Sequence, residues 1–574
     1  MKERKTKRID FGYDRLANIA DKYYNEGKLI SALKIAKKQY ALHGGDPDVF
    51  IRLADIYESM GLHASALGYW FKFLDEASEQ DLPEIYEGIA VNYLNLGNES
   101  ASAYYYNKLL DSDASAIAEE TKMEIVDAFS KPKKSPFRFV YPPRLADYSK
   151  ELEIGSHALK AGDANRAVEY LSRVERGSKQ YASAKELKAV AHLLKGEVEQ
   201  AEQDCKELLQ DDPNDLRVLA TLAAVYLEQG KTEESKALAL SLCEREQTES
   251  EDLYKVATVC CENGLHEQAY EKFKQLESKL PYDGRMLYFK GVAAYKCGLL
   301  DEAERTFDDL CTLYSDAEVA KYYLRALRMQ KSGERDENVS PVEFTYFYHL
   351  PQEEREERCR LLIRIGEMPK DEAQLFGLVA LHDGYFQWCF DEMDGADHDL
   401  QYLALVTAEH VRADEFIRDV MLDSEVMDVL KIETLRLLYM RNETIDVGLV
   451  LCHIYRKIRL ERIQIGRKRR KRFLDAYAKV ASKFVALKDG NGKKIKNAAE
   501  TLYRALEEHD GFDLMESADD CACAIFLISG LKELGQDTQR IVSAFEADAS
   551  RVRAILATAQ GKDIKEQEDE TDRL

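Results

Sequence analysis

The chain has 574 residues, 45% hydrophobic and 32% charged, a balance that excludes a disordered polymer. Its 30 glycines and 11 prolines fall well below the average combined share of roughly 12%, too few turn-formers for a sandwich or barrel, so long helices are expected. The 105 acidic residues against 81 basic leave a net charge of −24, which excludes wholesale binding to nucleic acid or anionic lipid while leaving local basic segments possible. No apolar run approaches the roughly 18 residues that a spanning helix needs, so no transmembrane segment is expected. The start, MKERKTKRID, lacks the apolar core of a signal peptide and reads as a basic arm over 1–12. Eleven cysteines scattered through helical surroundings read as small apolar residues in a reducing compartment, which makes the chain cytoplasmic by expectation.

The first structured stretch, 13–130, carries Gly27, Gly61 and Gly97, each five residues before a small residue (Ala32, Ala66, Ser102) and seven after another (Ala20, Ala54, Ala90). Gly162, Gly196, Gly230, Gly264 and Gly298 then recur every 34 residues in 148–332, with the same flanking small residues, Gly155 to Gly291 before and Ala167 to Ala303 after. Small residues let two antiparallel helices approach, and a glycine between them ends the first helix at positive φ. Tyr57, Tyr93, Phe273 and Phe307 sit where a ring fills the space between neighbouring hairpins, and Pro47, Pro213 and Pro281 fall in the turns between units. This pattern resembles the tetratricopeptide repeat, three units in the first array and five in the second. The units at Ser102 and Ser235 depart from the usual alanine by one hydroxyl. The resemblance implies an all-α solenoid of helix hairpins and a non-enzymatic scaffold that binds partner peptides in its grooves.

Capping helices are expected near 114–129 and 317–331. The proline-rich segment 131–147 and the break 333–351 read as linkers. Residues 352–560 keep a helical pattern without the 34-residue period and read as an irregular or HEAT-like helical domain, followed by a disordered acidic tail over 561–574.

The resemblance places the outward residues of each first helix on a concave groove. In the first array these include Asp14, Asn18, Asp21, Asn25, Asp48, Arg52, Asp55, Glu58, Glu84 and Glu87, a mostly acidic set suited to a basic segment of a partner. Relatives that clamp acidic chaperone tails use Lys, Asn and Arg at such places, where this chain has mainly Asp, Glu or Ala. The second array offers Tyr254, Arg285 and Tyr288, rings beside cations that suit a mixed apolar and acidic peptide, or that pack under the capping helix.

The alternative function is a ribonucleoprotein or membrane-surface adaptor. Ile454–Arg472 holds ten Lys or Arg in nineteen residues and reads as a basic amphipathic helix followed by a basic knot, with Arg467, Lys468, Arg469, Arg470, Lys471 and Arg472 as the polyanion-binding set. No catalytic residue, metal site or cofactor is expected: Cys521 with Cys523, and Cys260 with Cys261, lack a second pair at zinc spacing, and DGNGKK at 489–494 lacks phosphate-loop spacing.

Overall fold

A computed structural model describes residues 12–112, 122–123, 125, 148–160, 162–247, 249–333, 342–394, 397–535 and 537–560. The basic arm, most of the expected 114–129 helix, the 131–147 linker and the acidic tail lie outside the described residues. The chain divides into two compact units, one made of Met1–Ser130, Gln352–Phe390 and Ala396–Leu574, the other of Lys131–Pro351 with Asp391–Gly395.

The first unit opens with three helix hairpins: α1 (Tyr13–Asn25) with α2 (Leu29–His43), α3 (Pro47–Ser59) with α4 (His63–Glu76), and α5 (Leu82–Asn95) with α6 (Glu99–Ser112). The second unit stacks five more: α7 (Ser149–Lys160) with α8 (Ala164–Leu171), α9 (Tyr181–Leu194) with α10 (Val198–Asp211), α11 (Leu216–Glu228) with α12 (Thr232–Cys243), α13 (Ser250–Glu262) with α14 (His266–Glu277), and α15 (Gly284–Lys296) with α16 (Leu300–Leu313). Helix α17 (Glu318–Ser332) follows and packs on α16.

The eight period-setting glycines all have φ between 67° and 77°. At each, two backbone bonds close the helix end; in the first hairpin Lys28 N–H donates to the Tyr23 carbonyl and Gly27 N–H to the Tyr24 carbonyl, both at 2.9 Å. This is the Schellman arrangement, which satisfies carbonyls that the ended helix leaves open. The small residues lie where the helices cross: Ala20, Ala32, Ala54, Ala66, Ala90, Ala189, Ala201, Ala223, Ala257, Ala269 and Ala303 are fully buried. A Cβ added at Gly291 would stand 2.9 Å from the Phe307 ring, closer than packed carbons allow.

The rest of the first unit comprises α18 (Gln352–Glu367), α19 (Lys370–His382), the short α20 (Tyr385–Trp388), α21 (His398–Val411), α22 (Asp414–Leu422), α23 (Asp428–Met440), the antiparallel pair β1 (Ile445–Leu451) and β2 (Ile454–Leu460), and α24 (Arg470–Phe484), α25 (Asn491–Glu508), α26 (Ala518–Ser529), α27 (Thr538–Ala544) and α28 (Ala549–Ala559). The fold is thus an all-α solenoid of hairpins with one two-stranded ribbon among the described residues.

That ribbon corrects the reading of Ile454–Arg472 as a helix. Residues 454–460 form β2, 461–469 are irregular, and helix begins only at Arg470. The cause is the partner strand: Ile445 faces Leu460 and Leu451 faces Ile454 across a two-residue turn, Cys452–His453, in which both φ angles are positive, at 49° and 64°. Two residues at positive φ match the twist of the flanking strands. The ribbon docks on the third hairpin of the same unit. The hydroxyls of Tyr93 and Tyr105 both donate to the His453 carbonyl at 3.2 Å, and Tyr455 N–H donates to the Tyr105 hydroxyl at 2.8 Å. The Tyr455 hydroxyl donates to Asp75 at 2.8 Å, and Arg418 from α22 pairs with both Asp75 and Glu76 at 2.7 Å. Gly448 of β1 passes so near Asp75 that a Cβ there would collide with its carboxylate.

The two serine units differ in their hydrogen bonding. Ser235 Oγ donates to the Ala223 carbonyl at 2.7 Å, whereas the equally buried Ser102 Oγ has no partner among the described residues. A buried hydroxyl without a partner costs about 1–3 kcal/mol, and a satisfied one contributes about 1 kcal/mol. Ser102→Ala is therefore expected to raise the thermal midpoint of the full chain and Ser235→Ala to lower it, measured by circular dichroism melting of the two variants side by side.

Candidate functional site

On the first array, α1 and α3 place Asp21, Tyr24, Asp48, Ile51, Arg52, Asp55 and Ile56 around a cavity of about 210 Å³. Four of the expected groove residues, Asp21, Asp48, Arg52 and Asp55, therefore meet in one hollow. Arg52 pairs with Asp21 at 2.8 Å and donates to Gln39 Oε1 at 3.2 Å and to the Asp48 carbonyl at 3.3 Å, which holds its guanidinium against the wall. Partial desolvation by the walls of the hollow, then the charges of Glu58 and Glu84, push the exposed Asp55 carboxyl up to about 6, with Arg52 opposing. The hollow is acidic and only partly neutralised.

The other acidic and amide positions serve differently. Asp14, Asn18, Asn25, Glu84 and Glu87 are exposed on α1 and α5 but do not line the cavity. Glu58 accepts from Trp70 Nε1 at 2.7 Å and from the buried Asn92 Nδ2 at 2.6 Å, so it joins α3 to α4 and α5. Asn92 in turn meets His63 Nδ1 at 2.9 Å. Sequence reasoning missed this network because a buried asparagine leaves no periodic mark.

The second array has a larger hollow, about 780 Å³, walled by α9, α11 and α13. Val190, Leu193, Leu194, Leu227 and Val259 make it apolar; Tyr254, Glu228 and Glu262 edge it. Burial, then the neighbouring charge of Glu228, raises the Glu262 carboxyl, while Lys255 is tied to Glu186. Of the residues expected there, Tyr254 lines the hollow and packs edge-on to Phe273 at 6.3 Å, and Arg285 is exposed at the start of α15.

Tyr288 corrects its assignment to the groove surface. It is completely buried, and its hydroxyl donates to the carbonyls of Thr345 and Phe347 at 3.1 and 3.2 Å. What covers it is the chain itself: residues 342–350, expected as part of a linker, lie against α15 and α17 without forming a strand and bend at 346–347 and 349. Phe344, Tyr348 and Leu350 are buried, whereas Phe347 is exposed. Phe344 stacks on Tyr295 at 3.8 Å, the Tyr346 hydroxyl meets His266 Nδ1 at 3.0 Å, and the Tyr323 hydroxyl donates to the His349 carbonyl at 3.2 Å. Tyr348 packs on Tyr288 at 4.8 Å and its hydroxyl donates to the buried Asp391 at 2.9 Å. The alternation of FTYFYHL was the available signal, and Pro341 and Pro351 on either side masked it.

The basic set is largely engaged within its own unit. Lys468 pairs with Asp510 at 2.5 Å, Arg469 lies 3.9 Å from Asp513, and Arg470 and Arg472 donate to the carbonyls of Ile465 and Met515. Arg467 and Lys471 are exposed. Among the described residues, no group of three or more His, Cys, Asp or Glu is placed to hold a metal ion, and no helix is long and apolar enough to cross a membrane.

Two family models described as tetratricopeptide repeat match residues 152–215 and 196–256. The TPR repeat-containing protein YvcD of Bacillus subtilis is 24% identical over 293 residues, 49% of this chain and 58% of that protein, so the chain spans little more than half of that relative's length. Among solved structures, a tetratricopeptide repeat protein from Parabacteroides merdae is similar at 16% identity and TM-score 0.22, over 46% of this chain and 92% of that one. The Cut9–Hcn1 hetero-tetramer of the APC/C is similar at 12% identity and TM-score 0.24, over 95% and 96%. Yeast Tom70 is similar at 13% identity and TM-score 0.22, over 96% and 95%.

The buried Tyr348–Asp391 bond gives a check on the self-bound segment. Burial, then the charge of Asp316, lifts the Asp391 carboxyl to about 7, and the Tyr348 hydroxyl is one of its few donors. Tyr348→Phe is expected to cost about 1–3 kcal/mol of stability, read by denaturant unfolding of the full chain, and to raise protease cleavage within 342–350.

Proposed function

We propose, from the premise that this chain is a tetratricopeptide repeat protein, that it is a scaffold whose first-helix faces hold extended segments of partner proteins. The observation that carries this reading is the segment 342–350. It lies against α15 and α17 at the end of the second array, anchored by buried rings and by tyrosine hydroxyls that bond its carbonyls. A face that holds one segment of chain by its carbonyls and rings offers a preformed surface to another, with little ordering cost on the scaffold's side.

The two arrays favour different guests. The hollow of α1 and α3 presents Asp48 and Asp55 beside an arginine already paired with Asp21, so it favours a segment bearing Lys or Arg. The hollow of α9, α11 and α13 favours apolar side chains, with a cation near Glu228 and Glu262. The polyanion reading draws less support, because four of its six basic residues already meet a carboxylate or a carbonyl.

The test is fluorescence anisotropy of a labelled Lys- and Arg-rich peptide titrated with the full chain. Affinity should fall when salt reaches roughly 0.5 M, where the Debye length has shrunk to a few ångströms, and Asp48→Lys with Asp55→Lys should abolish binding. Binding that ignores both changes would overturn the acidic-groove reading.

The raised Asp55 carboxyl adds a pH signature. Its ionised form is what a cationic guest needs, so affinity should drop as pH falls from 7.5 through about 6. Stability moves the opposite way. The folded state holds this proton more tightly than the unfolded one, so the site favours folding at low pH and that contribution is lost as pH rises from 3.8 to about 6. Asp55→Asn should therefore remove the pH step in binding without lowering the melting temperature at pH 7.5.

A further inference from the structure

We propose that Cys243 and Cys260 are a peroxide-responsive dithiol, a modification site that links the third and fourth hairpins of the second array through a disulfide. Cys243 is the last residue of α12 and Cys260 lies in α13, with their sulfurs 3.1 Å apart. A disulfide needs the sulfurs only about 1 Å closer, which a small rotation of either side chain supplies.

The two thiols are unequal in the way a reactive pair requires. Cys243 is half-buried and within reach of a small oxidant, whereas Cys260 is fully buried behind it. Lys272 of α14 donates to the Cys243 carbonyl at 3.1 Å and to Gln247 Oε1 at 2.6 Å, which holds its ammonium near the Cys243 sulfur. The hydrogen bond from Cys260, then the Lys272 charge, brings the Cys243 thiol below its ordinary value, against the opposing effects of burial and Glu244. Other thiols contrast with it. Cys205, Cys521 and Cys523 are buried and pushed up to about 12 by that burial, and the exposed Cys452 donates to Asp428, a hydrogen bond that raises its thiol.

The chemistry balances with hydrogen peroxide as the oxidant. The Cys243 thiolate attacks one peroxide oxygen and the O–O bond breaks; the product is a sulfenic acid, and the departing hydroxide takes a proton to become water. The Cys260 sulfur then attacks the sulfenic sulfur, the S–S bond forms, and hydroxide leaves with the Cys260 proton as a second water. Two thiols lose two electrons and one peroxide becomes two waters.

The bond would act on the site. Helix α13 carries Val259 and Glu262 on the wall of the large hollow, and Cys261, beside the bridged residue, meets the Tyr346 hydroxyl of the self-bound segment. Joining α12 to α13 ties the third hairpin, whose α11 forms one wall of that hollow, to α13, which forms another.

The test uses the reduced full chain, treated with limiting hydrogen peroxide, alkylated and digested without reductant. The expected product is a Cys243–Cys260 linked peptide lighter by two hydrogen atoms, with two of the eleven thiols lost to titration. In Cys260→Ser, oxidation should stop at a sulfenic acid on Cys243, trapped by dimedone. Peroxide that oxidises Cys452 while leaving Cys243 and Cys260 alkylated as free thiols would overturn the proposal, as would a disulfide joining other cysteines. Because the decisive readout is on the unmodified sequence, it does not depend on the variants folding.

Discussion

Wherever two helices of a hairpin cross, the residues between them carry one methyl group, one hydroxymethyl group or none. Close crossing is what every other feature of the arrays depends on, because it fixes the distance between successive first helices and with it the width of the face they present. Ala54 and Ala66 are completely buried against each other's helices, and the Phe307 ring occupies the space that a side chain on Gly291 would take. A larger residue at these crossings would force the helices apart and exceed what a close-packed interior absorbs. The turn glycines are the second half of the same constraint, since each reverses the chain within two residues while its turn supplies donors to two of the helix-end carbonyls.

Charge and rings then divide the labour between the arrays. In the first, one arginine is held by one aspartate, and desolvation, then the charges of Glu58 and Glu84, raises the proton affinity of Asp55. In the second, rings dominate: Tyr254 at the edge of the open hollow, and Tyr288, Tyr295 and Tyr323 beneath a segment of the chain itself. The aromatic face for which sequence left open a peptide guest or internal packing is covered by Phe344, Tyr346 and Tyr348 of the chain itself.

The hairpins were legible in sequence because their determinants are local and periodic: a glycine, a small residue before it and another after it, at fixed offsets. Tyr57, Tyr93, Phe273 and Phe307 followed from the same register, and all four are buried. What escaped depends on residues far apart in the chain. Ile454–Leu460 carries isoleucines at helical spacing, yet β1 beside it and Tyr93, Tyr105 and Asp75 of the first array decide for a strand. Tertiary pairing overrides a seven-residue pattern easily, because a short segment's intrinsic preference amounts to little. The Glu58–Asn92–Trp70 network and the pairing of Lys468 with Asp510 were hidden for the same reason.

The docking of the ribbon on the third hairpin has a consequence for the order of events during synthesis. Tyr93 and Tyr105 wait for a carbonyl that lies 360 and 348 residues downstream. At about 5–20 residues per second, the ribosome delivers it on the order of tens of seconds after the tyrosines emerge. The second unit, nearly all one continuous stretch from 131 to 351, is translated whole inside that interval. The nascent chain must therefore keep the aromatic end of its first three hairpins unsealed while a later-made unit matures, a stage at which exposed rings invite premature association and a holdase would find its target.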